Sequence, residues 1–560
     1  MPRYRAPSRS WACALLPLLL ACKPKPIPND PNAHVPEASA PTWKNWSENL
    51  VHRPAKDGQA YYFSPTTRDE LHTIVTMAAQ AGVSLRVTGQ RHSQPPLVAD
   101  DNRGAVPQKT STWLVDLSCY KDLGPGGTQD MVLDADERTL TVNAGVREDA
   151  VDAFLTANDL MLQTVTAGGF FSIGGMTAVD VNGATVDAPI FAETASAFTI
   201  MGPDGEVTTI DAQTPKVDGW SPLQFARVSL GALGVVTSVT LDVAPRPFAT
   251  TLRGSRARYT ITDQAAFAER YKQLLWDHDR LESFYNPYNG EFLVLAWNEE
   301  RSPATQEPNA KRTVTSACTY AEKGKPGAPL EVRDEEHVAE RTEEHAQLHG
   351  DREDAKLLIE FALRNIEKQV DEAATAHSDL WLQAAARVVF MSYFIELPSA
   401  DEAGLARAWQ GIDAVTRRLH DSDEFLLAGP LEFRFIRGGD SALSGTYTTK
   451  PDALFINLDL IAFVKAKPAS DYPPQLLQFF GQIEREWVAL GGWPHNGKMY
   501  GFHDPSGVEG NTSTPFDPGF LAALAERRSD RLRAFEAYRK ARDPQGLFCN
   551  AFLHGLGLCR

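Results

Sequence analysis

Leu71, Ile74, Val75, Ala78 and Ala79 recur at the spacing of one apolar helix face, with the capping pair Thr67 and Glu70 just ahead of them. The pattern predicts a helix from about Arg68 to Ala81 that stops near Gly82. Val83, Leu85 and Val87 then alternate with Ser84 and Arg86, which is the period of a half-buried strand. That strand runs out into a polar loop, Arg86-Val87-Thr88-Gly89-Gln90-Arg91-His92-Ser93-Gln94. Short strands follow at Val132-Leu133 and Thr139-Leu140-Thr141-Val142, then a helix from about Glu148 to Ala157 and a further alternating run from Thr237 to Val243. Such a mixture predicts an α+β domain with mixed sheets, not a doubly wound nucleotide fold, and no G-x-G-x-x-G supports nicotinamide binding.

From about Arg246 the character changes to aromatic strands such as Phe284-Tyr285 and Phe292 to Trp297. Residues 298 to 330 are rich in proline, lysine and polar side chains and read as an irregular excursion. Residues 331 to 375 have helical spacing; His345 and His349 lie at i and i+4 without a second pair of ligands, so they read as a solvated face and no metal site is expected. In Gly429 to Ile436 a strand would put Glu432 and Arg434 on one face, roughly 6–7 Å apart, and Leu431, Phe433 and Phe435 on the other. Asn457 and Asp459 share a face with Phe455 in the same way, opposed by Leu454, Ile456, Leu458 and Leu460. Two neighbouring strands with a polar strip predict the floor of a substrate cavity. Gly492 to Met499 has the letters G-x-x-x-x-G-K, but a P-loop is rejected: Met499 replaces the metal-binding hydroxyl, and Trp493 and Pro494 suit a backbone cradle poorly.

Composition adds boundaries. The 560 residues are 43% hydrophobic, enough for two sizeable cores, and the net charge of -17 argues against nucleic acid as a partner. Arg3, Arg5 and Arg9 precede an apolar run, Trp11 to Leu20, that is too short to span a bilayer and has the shape of a secretory signal. Its end, Leu19-Leu20-Ala21-Cys22, resembles the bacterial lipoprotein box; a plain signal cut elsewhere is the alternative. The expected organisation is a signal at 1–21, a proline-rich tether at 22–44, a first domain at 45–245, a second at 246–475 and a segment at 476–560 that returns to the first. Cys119, Cys318, Cys549 and Cys559 permit one or two disulfides of open connectivity.

Gly89 to Ser93, Gly168-Gly169-Phe170-Phe171-Ser172-Ile173-Gly174-Gly175, Asn182-Gly183 and Ser229 to Val236, in this order, resemble the vanillyl-alcohol oxidase family with its PCMH-type FAD domain. The resemblance implies a two-lobed FAD-binding domain plus a substrate domain built on an antiparallel sheet with flanking helices. It implies FAD contacts from Arg86, Thr88, Gly89, Gln90, Arg91, His92, Ser93, Ser172, Gly174, Gly175, Asn182, Gly183, Gly234, Val236 and Asn550, and a covalent flavin through His92. Relatives often have histidine where this chain has Asn182. Glu432-Phe433-Arg434 resembles the acidic residue and arginine that face the flavin in alditol, aldonolactone and covalent-flavin cholesterol oxidases. Pro494, His495, Gly497 and Lys498 resemble the R-P-H-W-G-K segment of the sugar-alcohol branch, with Trp493 and Asn496 as departures. Phe535, Arg539, Asp543-Pro544, Phe548 and Asn550 resemble its C-terminal signature.

The implied activity is oxidation of a CH–OH group, in a sterol or in an aldonolactone or sugar alcohol, with Glu432, Arg434, Asn457 and Lys498 as candidate catalytic residues. Glu432 would take or relay the hydroxyl proton, and Arg434 beside it would make it a weaker base than an isolated carboxylate. Oxygen is the expected acceptor, giving hydrogen peroxide; a quinone or cytochrome acceptor is one alternative, and a non-catalytic flavin-binding lipoprotein is another. The expected location is the periplasmic or outer surface, with the membrane reached through a lipid on Cys22.

Overall fold

The computed structural model describes residues 42–560, apart from 57–60, 135, 137, 313, 315–317, 319–337, 375–378, 384–386, 422, 465–466 and 508–512. The expected signal, the Cys22 box and nearly all of the tether lie outside the described residues, as does part of the 298–330 excursion.

A short hairpin, β1 (Trp43–Lys44) with β2 (Val51–His52), leads into a parallel sheet of β3 (Tyr62–Phe63), β4 (Ser84–Thr88) and β5 (Thr112–Asp116), with β5 in the middle. The helix α1 (Arg68–Ala81) begins and ends where the apolar period does. Thr67 accepts from the Glu70 N–H at its start, and Gly82 closes it at φ 64°, a conformation that glycine adopts without steric cost. Its Leu71, Ile74, Val75 and Ala78 are buried in one cluster with Leu85, Leu114 and Val115, at roughly 1.5–3 kcal/mol for each large aliphatic chain removed from water.

The second sheet is antiparallel and comprises β6 (Met131–Asp134), β7 (Thr139–Asn143), β8 (Leu160–Leu162), β9 (Ala195–Met201), β10 (Val207–Asp211) and β11 (Val235–Pro245). The order is β10-β9-β11-β7-β6, and β8 pairs with the end of β11. Helices α2 (Glu148–Thr156), α3 (Ile173–Ala178) and α4 (Pro222–Ala226) accompany it. A parallel and an antiparallel sheet thus stand side by side in the chain order, the mixed sheets that the α+β pattern predicts.

The third sheet contains β12 (Leu252–Thr260), β13 (Arg280–Asn286), β14 (Glu291–Glu299), β15 (Val389–Leu397), β16 (Leu431–Arg437), β17 (Leu454–Ala462) and β18 (Trp493–Pro494), in the order β12-β14-β13-β16-β17-β15-β18. Every pair in it is antiparallel. Helices α5 (Gln264–Asp277), α6 (Val338–His349), α7 (Arg352–Ala374), α8 (Glu402–Asp421) and α9 (Pro474–Ala489) flank it. Leu431, Phe433 and Phe435 of β16 are buried in the core with Phe267 and Tyr271 of α5 and with Trp409 of α8, which turns Glu432 and Arg434 to the opposite face. No described helix is long and apolar enough to cross a membrane, and among the described residues no group including His345 and His349 could hold a metal.

The return of the chain to the first lobe comes later than residue 476. Helix α9 packs beside α8, and β18 still extends the third sheet through β15. After α10 (Pro518–Arg527), the helix α11 (Ser529–Arg542) lays Phe535 and Tyr538 against Phe225 of α4. Leu547 then accepts from the Leu85 N–H of β4, and the short helix α12 (Ala551–Gly555) ends the chain. Disulfides join Cys119 to Cys318 and Cys549 to Cys559.

Candidate active site

One continuous cavity runs from the end of β4 to the polar face of β16 and β17. Its first half is rich in glycine. Thr88, Gly89, Gln90, Arg91, His92 and Ser93 line it, together with Gly145, Ser172, Gly174, Gly175, Asn182, Gly231, Gly234 and Val236. Gly89 lies so close to the Ser172 hydroxyl that a Cβ there would collide with it. Val228 and Leu230 both sit at φ 53°, rare for such side chains, and are held there by N–H bonds to the carbonyls of Thr177 and Ala178. A glycine-walled cleft reached by a polar loop fits a flat, extended diphosphate dinucleotide such as FAD, whose phosphates need close backbone approach.

Three residues expected at the cofactor serve the scaffold. Arg86 borders the cavity, yet four of its guanidinium bonds go to the carbonyls of Leu97, Leu230, Gly231 and Phe548, tying the loop, the strained segment and the C-terminal tail together. Burial lowers its pKa to about 10. Gly183 is wedged against Thr164 and Val165, and it does not line the cavity. Asn550 caps α12, accepting from the Leu553 N–H and donating to the carbonyls of Pro96 and Leu97.

His92 stands in an aromatic column. Its ring stacks on Trp46 at 4.9 Å and 22°, and Phe171 meets it edge-on at 4.6 Å. Trp46 continues to Phe390 at 6.4 Å, and the Lys498 ammonium lies 3.9 Å from the centre of the Phe390 ring. The column therefore links the polar loop to the second half of the cavity.

There the guanidinium of Arg434 meets both Glu432 and Glu282 at 2.5 Å, and Glu282 accepts from the Trp381 indole at 3.0 Å. Strand register puts Glu432 of β16 directly opposite Asp459 of β17, and Glu282 of β13 opposite Arg434. Glu432 was expected to be weakened as a base by Arg434, but the balance runs the other way. Burial, with Glu282 and Asp459 as further anionic neighbours, outweighs Arg434 and pushes its carboxyl up to about 8. Burial also lowers the Lys498 pKa against the pull of Asp459 and Glu432. Asn457 shares the strand face but lies behind the cavity, donating to the Ser392 hydroxyl at 3.0 Å and meeting Asn182 only at 3.5 Å.

The turn His495-Asn496-Gly497-Lys498 presents the lysine. Buried Asp180 accepts from the Asn496 N–H at 2.8 Å, from its side-chain amide at 2.6 Å and from the Gly445 N–H at 2.9 Å. The Gln94 N–H donates to the Gly497 carbonyl, so the polar loop and the lysine turn are one unit. Asn496, a departure from the family letters, thus has a definite partner in Asp180. The N–H groups of Asn496, Gly497 and Lys498 all bond within the protein, which leaves no phosphate cradle. Burial holds His495 down to about 4, so it is neutral.

Glu282, Trp46 and Trp381 are site residues that sequence reasoning did not assign, whereas Asp459 lies on the polar strip that it placed on the cavity floor. No local signal singled out Glu282, because Arg280, Ser283 and Asn286 are further polar residues of the same strand, all seven of whose residues are buried.

Residues 59–211 match the family described as FAD binding domain, and residues 371–556 match the family described as D-arabinono-1,4-lactone oxidase. A D-arabinono-1,4-lactone oxidase of Eremothecium gossypii is 26% identical over 208 residues, 36% of this chain and 34% of that protein. An L-gulono-1,4-lactone dehydrogenase of Mycobacterium tuberculosis is 27% identical over 277 residues, 49% of this chain and 56% of that protein. The chain thus spans about a third to about half of these relatives. Among solved structures, a solvent-stable cholesterol oxidase superposes with a TM-score of 0.66 at 16% identity, covering 92% of this chain and 97% of the other. The cholesterol oxidase from B. sterolicum gives 0.65 at 16%, covering 95% and 99%. The structural likeness carries the fold.

Proposed function

The chain belongs to the PCMH-type FAD flavoproteins related to cholesterol and aldonolactone oxidases, and on that premise we propose that it oxidises a CH–OH group of a small lactone, sugar alcohol or sterol. The observation that carries this reading is the shared cavity: the glycine-walled cleft and the Glu432–Arg434–Lys498 face open into each other. FAD, when bound, supplies the hydride acceptor. Thr88 to Ser93, Ser172, Gly174 and Gly175 are the residues that would hold it.

The chain's own residues handle the proton and the charge. Glu432 is fixed by Arg434 in its second contact, and in its ionised form it accepts the substrate hydroxyl proton. Lys498 and Arg434 are fixed cations in a water-poor site, where they stabilise negative charge that develops on the substrate oxygen. Phe170, Phe171, Trp381 and Phe390 add apolar rings to the lining, which favours a site poor in water.

Oxygen as electron acceptor, with peroxide as product, is the proposed outcome. The relative named as an L-gulono-1,4-lactone dehydrogenase favours a second reading, in which a quinone or cytochrome takes the electrons. His92, which lines the cavity within the aromatic column, is proposed as the point of covalent attachment. The two disulfides suit an oxidising compartment, in keeping with the proposed export and Cys22 anchoring. Peroxide release from purified protein on lactones, sugar alcohols and cholesterol tests the oxidase reading. Turnover with an artificial electron acceptor but no peroxide would replace it with the dehydrogenase reading.

A further inference from the structure

Asp459 faces Glu432 across the β16–β17 ladder, so two carboxylates oppose each other on the cavity floor. Asp459 in that relation makes Glu432 harder to ionise, and packing does not explain the pair. Asp459 is 7% exposed, and its Oδ1 is shielded from solvent without a hydrogen-bond partner in the protein. A buried carboxylate oxygen in that state is costly unless something outside the chain donates to it.

One donor on the same cavity shares the condition, and a second stands beside it. The Arg434 Nε is buried without a partner, and the Lys498 ammonium lies over the Phe390 ring with no hydrogen-bond acceptor among the described residues. One acceptor and two donors therefore point to a ligand with several polar groups close together. A sterol, with one hydroxyl, would leave part of this set unpaired. A lactone or polyol with adjacent hydroxyls would not.

We infer that Asp459 is a substrate-binding residue that accepts a hydrogen bond from a second hydroxyl, adjacent to the carbon being oxidised. The preferred substrate is then a polyhydroxylated lactone or polyol and not an apolar alcohol with a single hydroxyl. This inference rests on the cavity being the site of flavin-dependent alcohol oxidation.

The test uses the flavin-loaded full chain and compares kcat/KM for an aldono-1,4-lactone, its monodeoxy analogue lacking the adjacent hydroxyl, and cholesterol. The wild type is expected to favour the hydroxylated lactone over the deoxy analogue by about ten- to a hundredfold, as one hydrogen bond to a charged group gives. Asp459→Ala should erase that ratio, whatever its effect on the absolute rates, with flavin content unchanged. Asp459→Asn, which keeps an acceptor oxygen, should restore part of the ratio. An unchanged ratio in Asp459→Ala, or a wild type that prefers cholesterol, would overturn the inference and leave alcohol oxidation standing. No flavin reduction by any of these alcohols would overturn both.

Discussion

Glu432 and Arg434 leave one strand two residues apart and close on each other at 2.5 Å, while Glu282 holds the same guanidinium from the neighbouring strand at 2.5 Å. The arrangement fixes the carboxylate without making it a strong acid, because burial raises its pKa to about 8 against the pull of Arg434. Glu432→Gln keeps the shape and removes the proton acceptor. Turnover should fall by about 10²–10⁴-fold with flavin content unchanged. Equal loss of both would assign Glu432 to the scaffold.

The same carboxyl sets the pH profile. The form that accepts a proton accumulates above its pKa, so kcat should rise with pH and level off above about 8. In Glu432→Gln the residual rate should lose that rising limb. A wild-type profile flat from pH 6 to 9 would assign the proton to another group.

Replacing His92 tests the aromatic column. His92→Ala should bind flavin that is released on acid precipitation, whereas the wild type should keep it in the pellet, as read by absorbance of both fractions. Release from both would remove the covalent link and leave the cavity as it stands.

Helix α1, strand β4 and the two-faced strands β16 and β17 were legible because each is a local pattern: a cap with a 3.6-residue period, or an alternation of two. Glu432 and Arg434 followed, since residues two apart in a strand share a face. Glu282 and Asp180 were not legible, because their partners are 152 and 316 residues away in sequence. The scaffold role of Arg86 was hidden for the same reason: its charge fits an anion loop, but carbonyls at 144, 145 and 462 residues' separation accept from its guanidinium. Asn550 fits a family signature whose local meaning is a helix cap.

Asp180 carries the lysine turn. Asp180→Ala leaves three buried N–H groups, two of Asn496 and one of Gly445, without their acceptor. The loss should be about 3 kcal/mol of stability, with kcat lowered about tenfold and flavin content kept, measured by denaturant unfolding and initial rates. Asp180→Asn, which retains one acceptor oxygen, should fall between.

Glu148 is fully buried at the start of α2, where it accepts from the Thr166 N–H at 2.7 Å, and burial raises its carboxyl to about 8 from 4.5. Between those values the folded chain keeps a proton that the unfolded chain has lost. Stability is therefore fully present below about pH 4.5 and declines as pH rises toward 8. Glu148→Gln should flatten that decline by up to about 1.4 kcal/mol per pH unit, seen in unfolding midpoints between pH 5 and 8. An identical slope in the variant would place its titration elsewhere.

The most direct test of the central claim is an anaerobic titration of the purified chain's flavin absorbance with aldonolactones, sugar alcohols and cholesterol. Bleaching of the flavin band by at least one of them, at a rate that collapses in Glu432→Gln, is the predicted result. A chain that carries no flavin after reconstitution, or a flavin that no alcohol reduces, would contradict the account.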